Sequence, residues 1–263
     1  MISTAAPLIS PVRPWSTLRF QVQSELVKAR SARSLWFLPL LAVIIGPASA
    51  LLVGISDSLE SNDTVLGGAL TALTLPVAVI GAWGALIMTT EYSSGTIRPV
   101  LSATPQRDTV FAAKVITTAA ISTIAGLLST TLAYLVGLAT IDASKYAAGQ
   151  PFPGLLGIYL VFPAVALFGL AIGLMLRSSA GAVAAVSAHV VLPEAASATA
   201  FGELHKLMTL VAPTAVVGKL SQSADAADHL IGSLGGWPRL ALVILLTLGV
   251  LFGGRRALIR KDV

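Results

Sequence analysis

The sequence predicts an all-α membrane protein, and three observations lead to this fold class. The chain is 55% hydrophobic and only 11% charged, whereas soluble domains carry about 25% charged residues. Its mean hydropathy is +0.85. Several uncharged runs are long enough to cross a bilayer, which takes about 20 apolar residues. The 263 residues are therefore expected to form one integral membrane domain. No cysteine is present for disulfides or for cysteine-based metal or catalytic sites.

The N-terminal region divides near Trp15. Residues 1–14 contain three prolines and are predicted to be a disordered tail. Residues 15–34 are predicted to be an amphipathic connecting helix in the membrane interface, with its basic residues near anionic lipid. Its apolar stripe consists of Trp15, Leu18, Val22, Leu26 and Ala29. The basic residues off that stripe are Arg19, Lys28, Arg30 and Arg33. This helix is either a simple elbow into the first span or a connector that also contacts a cytosolic partner.

Six transmembrane helices are predicted after this helix. They lie at about residues 35–55, 65–90, 108–141, 152–176, 178–193 and 238–254. The fifth run is short and is interpreted as a broken span. The sixth run is barely long enough to cross the bilayer. Residues 207–218 form an apolar run that is too short to cross and contains Pro213. Short re-entrant external helices are therefore predicted between spans five and six.

The basic residues predict the orientation of these spans. An even number of crossings places both termini on one side. That side also receives the segment between spans two and three, Arg177, and the arginine-rich tail 255–263. The opposite side receives only Lys145, Lys206, Lys219 and Arg239. Since basic residues accumulate in cytoplasmic loops, both termini are predicted to be cytoplasmic. The basic residues follow the membrane edges instead of one helix face, so nucleic acid is not an expected partner.

A polar segment at residues 91–107 separates spans two and three. Ser93, Ser94 and Gly95 interrupt the second span. Pro99 is tolerated in a helix only within the first turn. These residues predict one short cytosolic helix at about residues 98–103, with an ordinary loop as the alternative.

The next helix is predicted to begin at Thr104 and Pro105, because threonine is a common N-cap and proline is favoured at the first helical position. A helix from there to Ile141 would be about 55 Å long at 1.5 Å per residue. The hydrocarbon core is only about 30 Å thick. The third span is therefore predicted to project into the cytosol, with the short helix at its foot.

This polar segment resembles the signature of ABC-2 type transporter permeases, the membrane subunits of type V ABC exporters, in the form found in small actinobacterial permeases. Residues 91–98 read EYSSGTIR, and Leu101 and residues 105–107 (PQR) complete the motif. Residues 24–30 (SELVKAR) and 177–181 (RSSAG) are similar to other parts of that family. The resemblance implies that the short helix is a coupling helix that docks on an ATPase. The positions carried over are Glu91, Gly95, Thr96, Ile97, Arg98, Leu101, Pro105 and Arg107.

The resemblance implies a function and partners. Residues 35–254 would be a six-span permease domain in the bacterial plasma membrane. Two ABC ATPase subunits would bind it, and a second permease copy or a related permease would complete a dimer. The complex would export a small amphiphilic substrate, such as an antibiotic or other drug, a peptide or a lipid, which includes efflux in antibiotic resistance. The alternatives are an ATPase-driven signalling or cargo-delivery subunit, for example in metal handling, and a passive channel.

Catalysis by the chain itself is not expected. It contains no phosphate-binding G-x-x-x-x-G-K-[ST] loop, so it needs no cofactor of its own, and ATP and magnesium would bind to the partner ATPase. No triad or carboxylate pair reads as catalytic. The three histidines, His189, His205 and His229, show no metal-ligand spacing.

Further residues within or beside the predicted spans are candidates for function or packing. His189 and Glu194 are ionisable residues in or beside the fifth span, where the resembled family is apolar. They are either pathway residues or, respectively, a packed histidine and an acidic helix start. Gly169 and Gly173 form a G-x-x-x-G pair, which suits close helix packing within the subunit or a dimer seam. Gly46, Ala50 and Gly54 form a similar row of small residues in span one.

Overall fold

The computed structural model describes residues 14–31, 33–104, 106–195 and 203–260. These residues are helical almost throughout and contain no β-strand, which confirms the all-α class. One isolated bridge pairs Thr64 with Ala147. The predicted disordered tail lies mostly outside the described residues.

Twelve α-helices can be labelled in chain order within these ranges. They are α1 (Pro14–Ser31), α2 (Arg33–Ser56), α3 (Val65–Leu70), α4 (Thr74–Ser93), α5 (Ile97–Ala103), α6 (Arg107–Thr140), α7 (Gly154–Leu176), α8 (Ser179–Ala195), α9 (Glu203–Leu210), α10 (Pro213–Ser221), α11 (Asp228–Ile231) and α12 (Gly236–Arg260). A 3₁₀ turn at Thr71–Leu73 joins α3 to α4, and another occupies Ala224–Ala226.

Five helical segments of the described chain are long and apolar enough to cross a membrane. They are Leu35–Ser56, Val65–Ser93, Arg107–Thr140, Gly154–Leu176 and Asp228–Ile259. The predicted fifth span corresponds to α8, whose apolar part, Ser179–Glu194, is shorter than these five. A sixth crossing therefore stays a prediction.

Close contact between α4 and α7 forms the centre of the bundle. A Cβ atom on Gly84 would lie 2.0 Å from the carbonyl oxygen of Ala166, and one on Gly169 would lie 2.1 Å from that of Gly81. A Cβ on Gly173 would lie 2.6 Å from the carbonyl oxygen of Ala85. Any side chain at these positions would force the two backbones apart. Gly169 and Gly173 thus contact a helix of their own chain.

The other predicted row of small residues, in α2, also packs against a helix of the same chain. Gly46 and Gly54 of α2 face Ser129 and Thr140 of α6, and a Cβ on either glycine would clash with those side chains at 2.3 Å or less. The hydroxyl of Ser129 donates a hydrogen bond of 2.9 Å to the carbonyl of Ala42 in α2. The contact between α2 and α6 therefore combines close packing with a polar bond.

Short helices α9, α10 and α11 cover the end of the bundle where α12 begins. The guanidinium group of Arg239 is fully buried there. It donates hydrogen bonds to the carbonyl groups of Leu234, Thr209 and Ile231. The Arg239 side chain of α12 therefore fixes α9, α11 and the loop before α12 through hydrogen bonds to their backbone carbonyl groups. At its other end α12 continues to Arg260, so part of the predicted tail 255–263 is helical.

Candidate functional site

The turn between α4 and α5 depends on the backbone of Gly95. Ser94 ends α4 by donating its N–H to the carbonyl of Thr90 at 3.0 Å. Gly95 then adopts φ +71°, a left-handed conformation that is unfavourable for residues with a Cβ atom. A Cβ placed there would meet no atom within 4 Å. Glycine is therefore favoured here by the backbone conformation and not by lack of space. The Thr96 hydroxyl lies 2.9 Å from that of Ser94 across this turn.

Helix α5 packs on the bundle through one side. Ile97 is 2% exposed and belongs to a separate apolar cluster with Met88, Leu170, Leu174 and Leu258. Leu101 is half-buried against the same cluster. Pro99 occupies the first turn, where its missing N–H breaks no helical hydrogen bond. The opposite side of α5 is exposed and consists of Arg98, Pro99, Ser102 and Ala103.

The start of α6 differs from the sequence prediction. The helix begins at Arg107 with Gln106 at the N-cap, and no side chain caps it. Thr104 instead ends α5 and accepts a hydrogen bond from the side-chain amide of Gln21 in α1. Thr104 is thus a contact of α1 and not an N-cap, because its hydroxyl is already engaged across the chain. Pro105 lies outside the described residues. From Arg107 to Thr140 the helix has 34 residues, or about 50 Å of length.

The first turn of α6 is bonded to the last turn of α12. One guanidinium nitrogen of Arg107 lies 3.0 Å from the carbonyl oxygens of both Leu258 and Ile259. The last carbonyl groups of a helix lack hydrogen-bond donors within the helix. Arg107 donates hydrogen bonds to two of these carbonyl groups in α12. Asp108 also accepts a hydrogen bond of 2.9 Å from Arg255. The first turn of α6 is therefore packed against the end of α12 and is not an isolated projection.

Four charged side chains form a closed, alternating cluster behind α5. Lys114 of α6 is 1% exposed, and its ammonium group lies 2.9 Å from Glu25 Oε2 and 2.7 Å from Glu91 Oε1. Lys28 lies 2.8 Å from Glu25 Oε1 and 3.0 Å from Glu91 Oε1. The cluster joins α1, the end of α4 and the first third of α6, and it carries no net charge.

The cluster changes the interpretation of α1. Lys28 was predicted to lie near lipid, but it turns inward with Glu25, which is 6% exposed. The ion pairs give the reason, since an ammonium group between two carboxylates is more favourably placed than one at the edge of the apolar phase. Phe20 and Val27 are exposed on the other side of the helix, at 67% and 65%. The face of α1 that contacts the bundle is therefore partly ionic.

The ionisation of the two α1 residues reflects their partners. Burial alone would raise the pKa of Glu25, but Lys114 and Lys28 together hold it below its usual value. Burial would lower the pKa of Lys28, but its hydrogen bond to Glu25 and the charges of Glu25 and Glu91 raise it instead. Both shifts favour the charged forms.

Tyr92 and Arg177 lie next to this cluster. Arg177 ends α7 in a left-handed conformation, with φ +54°. Its guanidinium carbon lies 5.0 Å from the centroid of the Tyr92 ring, which is a cation–π contact. The loop between α7 and α8 is thereby fixed against the residue that follows Glu91.

The structure brings together most of the predicted coupling residues. Glu91, Ile97, Leu101 and Arg107 all join α5 or its flanks to other helices, whereas Arg98 points to solvent. Sequence reasoning did not select Glu25, Lys28 or Lys114 as site residues. A signal was available, because Lys114 is a charged residue within the predicted third span, and such residues have a partner or a function by default.

His189 and Glu194 lie away from this site on α8. The ring of His189 stacks on Phe168 with 4.6 Å between centroids. The Glu194 carboxylate accepts a hydrogen bond from the Thr74 hydroxyl at the opposite end of α4. Among the described residues, no group of three or more His, Cys, Asp or Glu residues could hold a metal ion.

Part of the chain matches a known protein family. Residues 21–192 are similar to a family described as ABC-2 family transporter protein. The matched region begins within α1 and ends within α8, so it contains α5 and all four members of the charged cluster. No curated protein matches the chain.

Proposed function

The chain belongs to the ABC-2 family of transporter proteins, and we propose that α5 is the helix through which separate ATPase subunits act on this permease. Two observations support α5 over other parts of the molecule. Its outer side is small, exposed and basic, which suits a docking contact. Its inner side packs against apolar residues of α4, α6, α7 and α12, and Thr104 at its C-terminal end is hydrogen-bonded to α1. A force applied to α5 therefore reaches several spanning helices.

The distribution of basic residues supports a cytoplasmic position for α5. Arg98, Arg107, Arg177, Arg255 and Arg256 lie at its end of the bundle. Positive residues favour the cytoplasmic side of a multi-pass membrane protein. In the proposed arrangement α8 makes a sixth, short crossing, both termini are cytoplasmic, and the membrane is the bacterial plasma membrane.

The proposed complex contains two ATPase subunits and a second permease, either a copy of this chain or a related one. ATP and magnesium bind to the ATPase subunits. The transported substrate is a small amphiphile, and the proposed direction is export. Exposed apolar rows on α2 and α6, which include Ile44, Leu52, Leu128 and Leu135, supply surface for lipid and for a second permease.

A charge reversal on α5 tests the proposal. Arg98→Glu removes the basic group from the exposed face without altering buried contacts, so the protein should fold and still reach the membrane. We expect substrate-dependent ATP hydrolysis in vesicles containing the complex to fall at least tenfold. The matched control is Arg256→Glu, the same change at an exposed position on α12, and it should retain most of the activity.

Two results would contradict the proposal. One is substrate-dependent ATP hydrolysis by Arg98→Glu at the wild-type rate. The other is the purification of the permease, solubilised in mild detergent from its own host, without any ATPase subunit. If an ATPase is retained but no substrate moves across the vesicle membrane, the signalling alternative would replace the transport function.

A further inference from the structure

A cavity of about 330 Å³ lies between α1, the start of α2, α4 and α6. It is next to the charged cluster and extends to Ser94 and Thr96, at the turn before α5. Its apolar walls include Leu35, Trp83, Ile87 and Ile121. Its polar walls include Glu25, Lys28, Thr90, Glu91, Thr117 and Thr118. The cavity thus has an apolar part and a polar part, as an amphiphile does.

The polar part can both donate and accept hydrogen bonds. The ammonium group of Lys28 has three N–H donors, and Glu25 and Glu91 accept two of them. In the described structure, Glu91 Oε2 and the Thr118 hydroxyl are buried without a hydrogen-bond partner. A buried polar atom that lacks a partner is destabilising, and a ligand that reaches these walls after a small side-chain rotation would relieve that penalty.

The charge of the cluster restricts the ligand. Two carboxylates and two ammonium groups balance each other at this wall. A head group with a net charge would bring one unbalanced charge into a partly enclosed site, which is unfavourable. A zwitterionic head group can place its cation near Glu91 and its anion near Lys28 while leaving the site neutral.

The apolar part is preformed. Trp83 is 1% exposed, and its indole N–H donates a hydrogen bond of 2.7 Å to the carbonyl of Leu35. This bond fixes the indole ring at the junction of α2 and α4. The cavity volume is near the lower limit for ligand pockets, which are about 300–1,000 Å³. A single apolar chain fits this space better than the two chains of a phospholipid.

We propose that this cavity binds a single-chain zwitterionic amphiphile, with its head group at Lys28 and Glu91 and its chain beside Trp83. As a substrate site, this proposal rests on the proposed transport function. As a binding site, it stands on the cavity alone and is measurable without an ATPase. The occupied site would lie against the same cluster that joins α1 to α4 and α6.

The test uses quenching of Trp83 by a brominated ligand. The full chain carries Trp15→Phe, Trp36→Phe and Trp237→Phe, which leaves Trp83 as the only tryptophan. It is placed in nanodiscs of unbrominated phosphatidylglycerol. The probe is an alkyl phosphoethanolamine with bromine in its chain. Matched probes carry the same chain with a trimethylammonium or a sulfate head group, and a fourth is a two-chain brominated phosphatidylethanolamine.

We expect saturable quenching by the phosphoethanolamine probe, with an affinity at least tenfold above those of the cationic, anionic and two-chain probes. Ala29 lines the cavity on α1, so Ala29→Phe should weaken binding at least tenfold. The matched control is Gln23→Phe, at an exposed position of the same helix, which should not. If Ala29→Phe does not fold, Ile121→Phe fills the same cavity from α6.

Quenching that rises linearly without saturation, or that is equal for all head groups, overturns the proposal. So does equal binding by the cavity-filling and control variants. These failures differ from a failure of the transport function. Lost binding with intact ATPase coupling removes only the ligand site, whereas saturable binding by a permease that recruits no ATPase removes only the transport function.

Discussion

Lys114 is the residue on which the charged cluster most depends. Its ammonium group is almost completely buried and lies between Glu25 and Glu91. Removing one member of a buried ion pair is strongly destabilising, by about 3–5 kcal/mol, because the remaining charge stays buried. Removal of Lys114 would leave two carboxylates with only Lys28 between them.

Replacing Lys114 with methionine should therefore destabilise the protein. We expect Lys114→Met to lower the free energy of unfolding by about 3–5 kcal/mol, measured by denaturant titration of purified protein in mixed micelles. The control is Lys145→Met, because Lys145 and its partner Asp57 are 53% and 54% exposed and such pairs contribute about 0–1 kcal/mol. Equal losses in the two variants would show that the cluster is not a buried ionic contact.

The attachment of α1 should depend on pH through Glu25 and Lys28. The pKa of Glu25 is lowered from 4.5, so its contribution is present above pH 4.5 and is lost as the pH falls through the lower folded value. The pKa of Lys28 is raised from 10.5, so its contribution is present below pH 10.5 and is lost as the pH rises through the higher folded value.

A spin label at Gln23, an exposed position on α1, would report this attachment. We expect its mobility to be low and constant between about pH 4.5 and 10.5 and to increase outside that window. In Glu25→Gln the increase on the acidic side should be reduced. A mobility that is identical across the pH range in the wild-type protein would rule out ionic attachment of α1.

The turn before α5 depends on the left-handed backbone of Gly95. Gly95→Ala adds no clash, but it places a Cβ atom on a left-handed backbone, which costs about 1–2 kcal/mol. We expect the protein to fold with a reoriented α5 and with reduced coupling between ATP hydrolysis and transport. The control is Gly249→Ala in α12, where a Cβ also meets no atom and helix propensity favours alanine by about 1 kcal/mol.

Comparing Gly95→Ala with Gly249→Ala shows whether the backbone conformation at Gly95 affects coupling. Both variants add one methyl group to open space. Coupling that is reduced equally by the two changes, or by neither, would count against a role for the left-handed turn.

The elements differ in how far the sequence predicts them. Ser94, Gly95 and Pro99 mark the limits of α5 locally, so that helix lies close to where the sequence places it. The prediction that α6 begins at Thr104 and Pro105 was wrong. The Thr104 hydroxyl accepts a hydrogen bond from Gln21 of another helix, and such a long-range partner outweighs a local capping preference. The inward turn of Lys28 was missed for the same reason, since its partner Glu91 is far away in the chain.

The two ends of the bundle are held by separate networks of polar contacts. The α5 end contains the charged cluster and the contacts of Arg107, and the opposite end contains Arg239 with its three carbonyl acceptors. The core between them is apolar, with Gly84 and Gly169 at its closest contacts. Damage to one network should therefore stay at its own end.

Arg239→Lys tests this separation. A lysine cannot reproduce the planar, forked geometry of the guanidinium group, so some of its buried acceptors lose their donor. We expect amide hydrogen exchange in α9, α10 and α11 to become at least tenfold faster, while exchange in α5 and the first turns of α6 is unchanged. Faster exchange at both ends would show that the networks are coupled through the core.

The charged cluster also has a consequence for the synthesis of this chain. Glu25 and Lys28 leave the ribosome early, whereas Lys114 follows after two more apolar segments. When they are first synthesised, Glu25 and Lys28 can form an ion pair only with each other. The cluster can close only after the helix that carries Lys114 has been synthesised, so its completion requires the first three long apolar segments to be present together.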